Sequence, residues 1–276
     1  MSAAEYGFPN PSKPSWIELA TNVFNDLTTR WDLKTCGGGL KWQMFPENAG
    51  YDYKSSITNG AFFQLSARLA RYTGNATYIA WAEKAWDWMT DVNLISAGYN
   101  VYDGTDDNIN CTRFDNHEWS YNNGALLYGS AMLANITAPT TPWANRTRGL
   151  LTASKTQFFS PYPNATDVMF EMWCEKTMTC NNDQYSFKAY LARWLYASAK
   201  VMPELESDIL ALMRPTALAA ARSCSGGPKG RTCGATWWYP GWDGTVGLGQ
   251  EMSALEAIHG LLLDARKAPA VVHPKV

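Results

Sequence analysis

The sequence is poor in histidine and has no cluster of positive charge. Of 276 residues only three are His, and 23 Lys and Arg against 25 Asp and Glu give a formal net charge of -2. Nucleic-acid phosphates require clustered cations, so we expect no nucleic-acid partner. No apolar run reaches the about 18 residues of a membrane-spanning helix. With so few His and no Cys-x-x-Cys pair, we expect no metal and no cofactor.

The amino terminus lacks the basic and apolar stretches of a secretion signal, although other features indicate secretion. Residues 1–6 (MSAAEY) form neither a basic nor an apolar stretch. Residues 268–276 lack the hydrophobic segment of a lipid-anchor signal. Five Asn-x-Ser/Thr sequons nevertheless indicate a glycosylating route. They lie at Asn75, Asn110, Asn135, Asn145 and Asn164. We therefore expect a secreted or cell-surface protein with further residues before Met1 and after Val276, and membrane attachment only through a lipid anchor encoded there.

The even number of cysteines supports an oxidising compartment. Six cysteines allow fifteen disulfide connectivities. A zinc site is the rival interpretation, which the scarcity of His disfavours. The pairing that we expect is Cys36 with Cys111, Cys174 with Cys180, and Cys224 with Cys233.

A unit of about 64 residues is repeated four times along the chain. Each unit has an amphipathic outer helix, a long loop rich in Gly, Asp, Asn and aromatic residues, and an inner helix in which Gly, Ala and Ser occur among the large residues. The expected starts of the outer helices are Trp16, Tyr78, Trp143 and Ser207, and those of the inner helices are Ser55, Trp119, Gln184 and Leu248. No strand-like alternation exceeds about four residues, so the sequence predicts an all-α fold.

Repeated helical hairpins bury their faces only by stacking, either as a solenoid or as a closed ring. A larger ring from which some hairpins are absent is favoured over a closed ring of only four hairpins. All the long loops lie at one end of such a scaffold. Function is expected there, because loops on a rigid scaffold commonly carry binding and catalytic groups.

Polar and aromatic residues cluster immediately before each inner helix. Carbohydrate sites combine flat apolar faces with amides and carboxylates, and these clusters supply both. Glycoside cleavage also needs two carboxyl groups. The candidates at the loop end are Asp103, Asp106, Asp107, Asp183, Asp243 and Glu251.

Several of these residues have simpler explanations. Asp106 and Asp107 are favoured as turn or capping residues over a catalytic pair. The glycines at 37–39 are expected to form a tight turn beside a disulfide rather than a phosphate loop. For the loop-end tryptophans, sugar stacking and ordinary packing stay equally open. These are Trp42, Trp119, Trp237, Trp238 and Trp242.

Five ordered motifs resemble glycoside hydrolase family 76, and most closely its fungal cell-wall branch of mannan endo-1,6-alpha-mannosidases. They are residues 36–43 (CGGGLKWQ), 102–104 (YDG), 119–124 (WSYNNG), 183–188 (DQYSFK) and 247–256 (GLGQEMSALE). The resemblance covers essentially the whole chain. It implies an (α/α)6 barrel, secretion, commonly a glycolipid anchor, and action on α-1,6-linked mannose of mannan or of a glycolipid anchor, by hydrolysis or by transglycosylation.

The chain departs from the family pattern in one respect. The resemblance implies a catalytic pair of consecutive aspartates in an Asp-Asp-Gln motif, and that triplet does not occur in the sequence. Asp106-Asp107 lacks the following Gln and lies in a different loop. We therefore expect a single partial barrel domain over residues 1–276, with about four of six hairpins and the catalytic dyad upstream of Met1.

Two hypotheses follow from the sequence. The first is a mannan endo-1,6-alpha-mannosidase for which this chain supplies most of the substrate cleft. The second is a catalytically inactive carbohydrate-binding fragment that lacks the dyad. The residues expected to hold mannose units are Trp42, Asn59, Asp103, Tyr121, Asn123, Asp183, Gln184, Lys188 and Gln250.

Overall fold

A computed structural model describes residues 1–265 and 268–271 of the chain. Most of the sequence tail, residues 272–276, lies outside the described residues, as do residues 266 and 267. The α-helices of the described part are α1 Ser2–Glu5, α2 Trp16–Thr29, α3 Ser56–Thr73, α4 Ala76–Asp91, α5 Ser120–Ile136, α6 Trp143–Phe158, α7 Phe187–Val201, α8 Glu206–Ser223 and α9 Leu248–His259.

The helical pattern read from the sequence is confirmed. The starts predicted at Trp16, Trp143 and Leu248 are the observed ones, and a short 3-10 turn, Gln184–Ser186, leads into α7. A local signal fixes the start of α2: the Ser15 hydroxyl accepts a bond from the Glu18 backbone N–H, and the Glu18 carboxylate accepts one from the Ser15 N–H. Such a capping box satisfies two backbone donors that the first turn leaves unpaired.

Three short strands lie among the loops of the described residues, and the sequence did not predict them. They are β1 Tyr53–Ser55, β2 Tyr102–Asp106 and β3 Phe114–Glu118, in the order β1-β2-β3. Strands β1 and β2 are antiparallel, with Tyr53 opposite Asp106 and Ser55 opposite Gly104. Such segments are too short and too polar to show hydrophobic alternation, so only pairing between distant parts of the chain reveals them.

The described chain groups into two compact units. Among the described residues, the first comprises Met1–His117, Tyr128–Thr147 and residues 268–271, and the second comprises Glu118–Leu127 and residues 148–265. In the first unit the tryptophans of α4 and α6 pack in an aromatic core with Trp31, which lies two residues after the end of α2. Trp31 packs edge-on against Trp88, and Trp86 packs edge-on against Trp143.

The inner helices of the second unit approach one another closely. A Cβ atom added to Gly260, just after α9, would lie 1.9 Å from the ring of Tyr196 on α7. The Tyr196 hydroxyl donates to the Ala257 carbonyl oxygen at 2.8 Å. Small residues at such points allow the helices to pack tightly, which is the role that the sequence predicts for the inner series.

All six cysteines are paired as the sequence predicts. The disulfides are Cys36–Cys111, Cys174–Cys180 and Cys224–Cys233. Among the described helices, none combines the length and the apolar character that crossing a bilayer requires.

Candidate functional site

The first unit contains a cleft at the end of α2 that holds Trp42. The cleft has a volume of about 690 Å³, and its walls include Trp42, Tyr51, Asp32, Lys41 and Thr58. The Trp42 side chain is 50% exposed. Its backbone N–H donates at 2.7 Å to the carbonyl oxygen of Tyr53, the first residue of β1. An indole face held in this way offers a flat apolar surface beside charged and hydroxyl groups.

The expected tight turn at residues 37–39 connects two segments that line this cleft, residues 31–35 and 40–44. Gly38 and Gly39 have positive φ angles, and a Cβ atom on Gly39 would lie 2.3 Å from the Trp88 ring. The Trp88 ring N–H donates to the Cys36 carbonyl oxygen at 3.0 Å. Glycine is therefore required both for the backbone conformation and for the close approach of an indole.

A buried lysine holds the glycine turn in place. The Lys54 side chain is fully buried, and its Nζ donates to the carbonyl oxygens of Thr35 and Gly38 at 2.9 and 2.6 Å. Its charge is compensated by Asp32, whose Oδ2 lies 3.0 Å away. Partial burial alone would raise the pKa of Asp32, but hydrogen bonds from Thr35 and Lys34 together with the Lys54 ammonium lower it to about 2. Asp32 is thus ionised at any physiological pH.

Asp106 and Asp107 have separate structural roles. The Asp106 carboxylate accepts a bond from the Asn108 backbone N–H at 2.8 Å and caps a 3-10 turn. Asp107 is buried and forms an ion pair with Lys41 at 2.6 Å. Asp107 also accepts a bond from the Thr35 hydroxyl at 3.0 Å. The turn interpretation therefore describes Asp106, and Asp107 adds an ion pair that the sequence did not predict.

Asp103 lies on β2 beside a second, smaller hollow of the first unit. Its carboxylate accepts a hydrogen bond from the Tyr53 hydroxyl at 2.9 Å. The hollow has a volume of about 300 Å³, and Tyr53, Arg113 and Phe114 contribute to its lining. A Cβ atom on Gly104 would lie 2.4 Å from the Tyr53 ring, so glycine here allows the tyrosine to reach Asp103.

Asn59 is buried and binds the backbone. Its side chain has 0% exposure. Its Oδ1 accepts from the Leu40 N–H at 2.8 Å, and its Nδ2 donates to the carbonyl oxygens of Leu40 and Ser55 at 3.0 and 2.9 Å. These bonds use both the oxygen and the nitrogen of the amide, so Asn59 joins the segment that carries Trp42 to the start of α3.

Replacing Asn59 by Leu tests this role. The change leaves the buried Leu40 N–H and carbonyl without partners, which should lower the free energy of unfolding by about 2 kcal/mol or more. Chemical denaturation measures the loss. The exposed Asn25 of α2 offers a control, Asn25→Leu, which should stay within about 0.5 kcal/mol of wild type. Unchanged stability of Asn59→Leu together with lost sugar binding would instead indicate a direct ligand contact.

The second unit presents an aromatic group at the start of α5. The Tyr121 ring stacks on Phe187, with centroids 4.0 Å apart and an interplanar angle of 6°. Trp119 contacts the same phenylalanine edge-on at 5.6 Å. Tyr121 is partly exposed, so one ring remains accessible while the other supports it.

A second buried lysine lies at the start of α7. The Lys188 side chain is 1% exposed and pairs with the Glu175 carboxylate, also buried, at 2.5 Å. Lys188 Nζ lies 3.9 Å from the centroid of the Trp237 ring and donates to the Ala235 carbonyl oxygen. The Trp237 side chain is 2% exposed. For Trp237 the packing alternative is therefore the one observed, because its ring is covered.

Glu171 is a buried carboxylate that the sequence analysis missed. It is 1% exposed and accepts hydrogen bonds from both the hydroxyl and the backbone N–H of Ser120, the first residue of α5. Burial, reinforced by the nearby Glu175, raises the pKa of Glu171 to about 8 despite the Ser120 bonds. Burial likewise raises the pKa of Glu175 against the opposing effect of Lys188.

The remaining predicted residues of the second unit divide by burial. Asn123 is buried, and its Oδ1 accepts from the Ser154 hydroxyl at 2.6 Å. Gln250 is buried beside Gly247. Asp183 is exposed and Gln184 partly so, in the turn before α7, where Gln184 Oε1 accepts from the Asn181 N–H at 2.9 Å. Two further carboxylate candidates also bind the backbone: Asp243 accepts from Thr236 and Thr245, and Glu251 accepts from Cys233.

The structure thus brings the predicted residues into two sets. Trp42, Asn59 and Asp103 belong to the first unit, and Tyr121, Asn123, Asp183, Gln184, Lys188 and Gln250 belong to the second. The sequence did not indicate three further residues, which lie outside the polar and aromatic clusters before the inner helices: Glu171, Glu175 and Asp32. A signal existed for one of them, since Glu175 directly follows the disulfide cysteine Cys174.

The loops carry this chemistry on a helical scaffold that defines a family of carbohydrate-active enzymes. The model of glycosyl hydrolase family 76 matches residues 1–273. The chain belongs to glycosyl hydrolase family 76. It is 50% identical over 262 residues to the mannan endo-1,6-alpha-mannosidase DCW1 of Candida glabrata, which covers 94% of this chain and 57% of that protein. It is 41% identical over 273 residues to the mannan endo-1,6-alpha-mannosidase DFG5 of Saccharomyces cerevisiae, covering 98% and 58%.

Solved structures agree with the fold. The crystal structure of Dfg5 from Chaetomium thermophilum in complex with glucosamine superposes with a TM-score of 0.91 and 41% identity, over 98% of this chain and 67% of that one. The family 76 α-1,6-mannanase of Salegentibacter sp. matches with a TM-score of 0.70 and 18% identity, over 89% and 69%. The predicted all-α class of the (α/α)6-barrel type is confirmed. The chain spans less than two thirds of the length of the curated relatives named above, and the absence of some of the six hairpins stays a prediction.

Proposed function

We propose that this chain supplies the substrate cleft of a mannan endo-1,6-alpha-mannosidase of the fungal cell wall. The observation that carries the proposal is the match over 94% of the chain, at 50% identity, to a protein of that name. The cleft around Trp42 supports it, because an exposed indole beside carboxylate, ammonium and hydroxyl groups is the arrangement that binds a sugar ring. Location at the cell wall or cell surface, reached by secretion, is part of the same proposal.

The proposed sugar contacts are the predicted residues whose side chains reach solvent. Trp42 provides a stacking face in the first unit, and Tyr121 provides one in the second. Asp103, Asp183 and Gln184 provide hydrogen-bonding groups. The buried members of the predicted set hold the loops that carry these contacts, and they are Asn59, Asn123, Lys188 and Gln250.

The reaction that we propose needs two carboxyl groups. In a retaining mechanism one carboxylate attacks the anomeric carbon while the other carboxylic acid protonates the departing glycosidic oxygen. The described interactions give Asp106, Asp107, Asp243 and Glu251 structural roles, so we assign neither catalytic role to them. An inactive variant of the Salegentibacter mannanase carries substitutions of two consecutive aspartates and holds α-1,6-mannotetrose. We propose that the corresponding dyad belongs to the portion of the longer relatives that this sequence does not match.

We propose two candidate substrates. Linear α-1,6-mannan is the first, in keeping with the names of the relatives. Mannose of a glycolipid anchor is the second, with transfer to an acceptor in place of hydrolysis. The second candidate is supported by the Chaetomium relative, because its crystal structure holds glucosamine, an amino sugar.

Trp42→Ala tests the proposed cleft. Loss of the indole face should weaken binding of α-1,6-mannotetraose to the chain about tenfold, since a stacked aromatic contributes on the order of 1 kcal/mol beyond its buried area. Isothermal titration calorimetry measures the dissociation constant. Phe8→Ala is the control, because Phe8 is 63% exposed and does not line the cleft.

Activity measurements on the same chain distinguish the two hypotheses of function. Release of short mannosides from linear α-1,6-mannan by the 276-residue chain would show that the chain is an active enzyme and that its catalytic residues lie within this sequence. Binding without turnover, followed by turnover in the full-length protein, would support the cleft role proposed here. Equal affinity of wild type and Trp42→Ala would exclude Trp42 as a sugar contact.

A further inference from the structure

One of the sequons lies in a tight turn built around a disulfide. Asn110 has left-handed backbone angles, with φ 50° and ψ 39°, directly after the 3-10 turn Asp107–Ile109. The next residue, Cys111, is bonded to Cys36. Asn110-Cys111-Thr112 is the one sequon of the sequence that contains a cysteine.

The polar groups of this sequon bind the protein itself. Asn110 Oδ1 accepts from the Cys36 N–H at 3.0 Å, and the Thr112 hydroxyl donates to the Ile109 carbonyl oxygen at 2.9 Å. The Cys111 N–H donates to the Asp106 carbonyl oxygen at 3.1 Å. Transfer of a glycan to Asn requires the carboxamide and the hydroxyl two residues later to be presented together by an accessible peptide. The closed turn does not present them.

The folded turn nevertheless tolerates a glycan once it is attached. Asn110 is exposed. The atom that accepts the bond from Cys36 is Oδ1, whereas a glycan is carried by Nδ2. Glycosylation before closure is therefore compatible with the structure, and glycosylation after closure is not.

We propose that Asn110 is an N-glycosylation site whose occupancy is set by a race between glycan transfer and closure of the Cys36–Cys111 disulfide. The inference rests on the proposed secretory location. In transfer, Asn110 Nδ2 gives up a proton and bonds to the anomeric carbon of a lipid-pyrophosphate-linked oligosaccharide, whose C–O bond breaks with its electron pair passing to the pyrophosphate. In closure, the two thiols give up two protons and two electrons to a disulfide-bearing oxidant of the same compartment.

The order of synthesis lets glycan transfer and disulfide closure begin at the same time. Cys36 precedes Cys111 by 75 residues, so it has entered the compartment before the sequon does. Disulfide exchange can then begin as soon as Cys111 arrives, in the same segment and at the same time as glycan transfer to its neighbour. Asn75 provides an internal reference, because it is exposed and no cysteine lies in its sequon, Asn75-Ala76-Thr77.

The test translates the chain behind a cleavable secretion signal in the presence of rough microsomes. Mass spectrometry of the peptides, after enzymatic release of glycans, gives the occupancy of Asn110 and of Asn75. Cys36→Ser leaves the sequon intact and removes its competitor, so Asn110 occupancy should rise at least twofold while that of Asn75 is unchanged. Dithiothreitol during translation of the wild type should have the same effect. Cys174→Ser, which breaks a different disulfide, should leave Asn110 as in wild type.

Each outcome has one meaning. Transfer occurs during translation, so occupancy is measurable whether or not a variant folds. Complete occupancy of Asn110 in the wild type, or equal occupancy in wild type and Cys36→Ser, overturns the race. Glycan at Asn75 in that experiment would leave the secretory proposal standing. Absence of glycan from Asn110 in every variant, with Asn75 occupied, would overturn the inference alone, because the added signal delivers the chain whatever its natural location.

Discussion

Lys188→Met is expected to be strongly destabilising, lowering the free energy of unfolding by about 3 to 5 kcal/mol. The substitution keeps most of the volume of the side chain but removes the cation that pairs with the buried Glu175 at 2.5 Å. It also removes the donor to the Ala235 carbonyl oxygen and the charge above the Trp237 ring. A buried carboxylate without its counter-ion costs more than the ion pair contributes, so most of the loss comes from Glu175. Urea denaturation followed by tryptophan fluorescence measures the change.

Two further variants keep this prediction falsifiable if Lys188→Met is poorly folded. Lys188→Met combined with Glu175→Gln removes both charges and should recover a large part of the lost stability. Lys155→Met alters an exposed lysine of α6 and should stay within about 0.5 kcal/mol of wild type. A double variant no more stable than Lys188→Met would show that the lysine acts through packing and not through charge.

The two units use the same device. Each has a buried lysine beside the start of an inner helix: Lys54 just before α3 and Lys188 in the first turn of α7. In both cases the ammonium is paired with a carboxylate, donates to a carbonyl oxygen of a loop, and lies against an indole, Trp88 or Trp237. A lysine in this position ties a loop to the start of a helix, because moving the ammonium away would leave the paired carboxylate without its counter-ion.

The helices and disulfides could be predicted because their signals are local or compositional. Apolar residues at intervals of three and four identify α2 and its counterparts, and Ser15 with Glu18 marks a start. The glycine turn at 37–39 was also predictable, as no other residue type recurs so often in that conformation. The contact that makes Gly39 necessary, with Trp88, was not, because it joins positions far apart in the chain.

The candidate site was predicted in position but not in detail. The segments before the inner helices do hold exposed aromatic and polar groups such as Trp42, Tyr121 and Asp183. Residue type alone did not separate these from Asn59 and Asn123, which bear the same kind of polar group and are buried. Burial depends on how the loops fold over the helix starts, and that is a property of tertiary structure rather than of spacing along the chain.

Glu171→Gln is expected to remove a pH dependence of stability that the wild type shows between about pH 4.5 and 8. Burial raises the pKa of Glu171 from 4.5 to about 8, so in this interval the folded protein holds a proton that the unfolded chain releases. Stability from this group is therefore complete below pH 4.5 and is lost as the pH rises toward 8. One pKa unit corresponds to about 1.36 kcal/mol, which puts the loss on the order of 4 kcal/mol. Gln does not ionise, so the variant should be the more stable protein at pH 8.

Urea titrations at pH 5, 6.5 and 8 measure this effect as a difference between variant and wild type, in which the contributions of other titrating groups largely cancel. Glu47→Gln serves as the control, because Glu47 is exposed, and it should follow the wild-type slope. Gln keeps one oxygen that can accept the bond from the Ser120 N–H, and its NH2 group can donate to the Ser120 hydroxyl oxygen as the protonated carboxyl can, so the start of α5 should stay intact. A wild-type slope retained in Glu171→Gln would mean that the proton is held elsewhere, with Glu175 as the next group to substitute because its pKa is raised by the same burial.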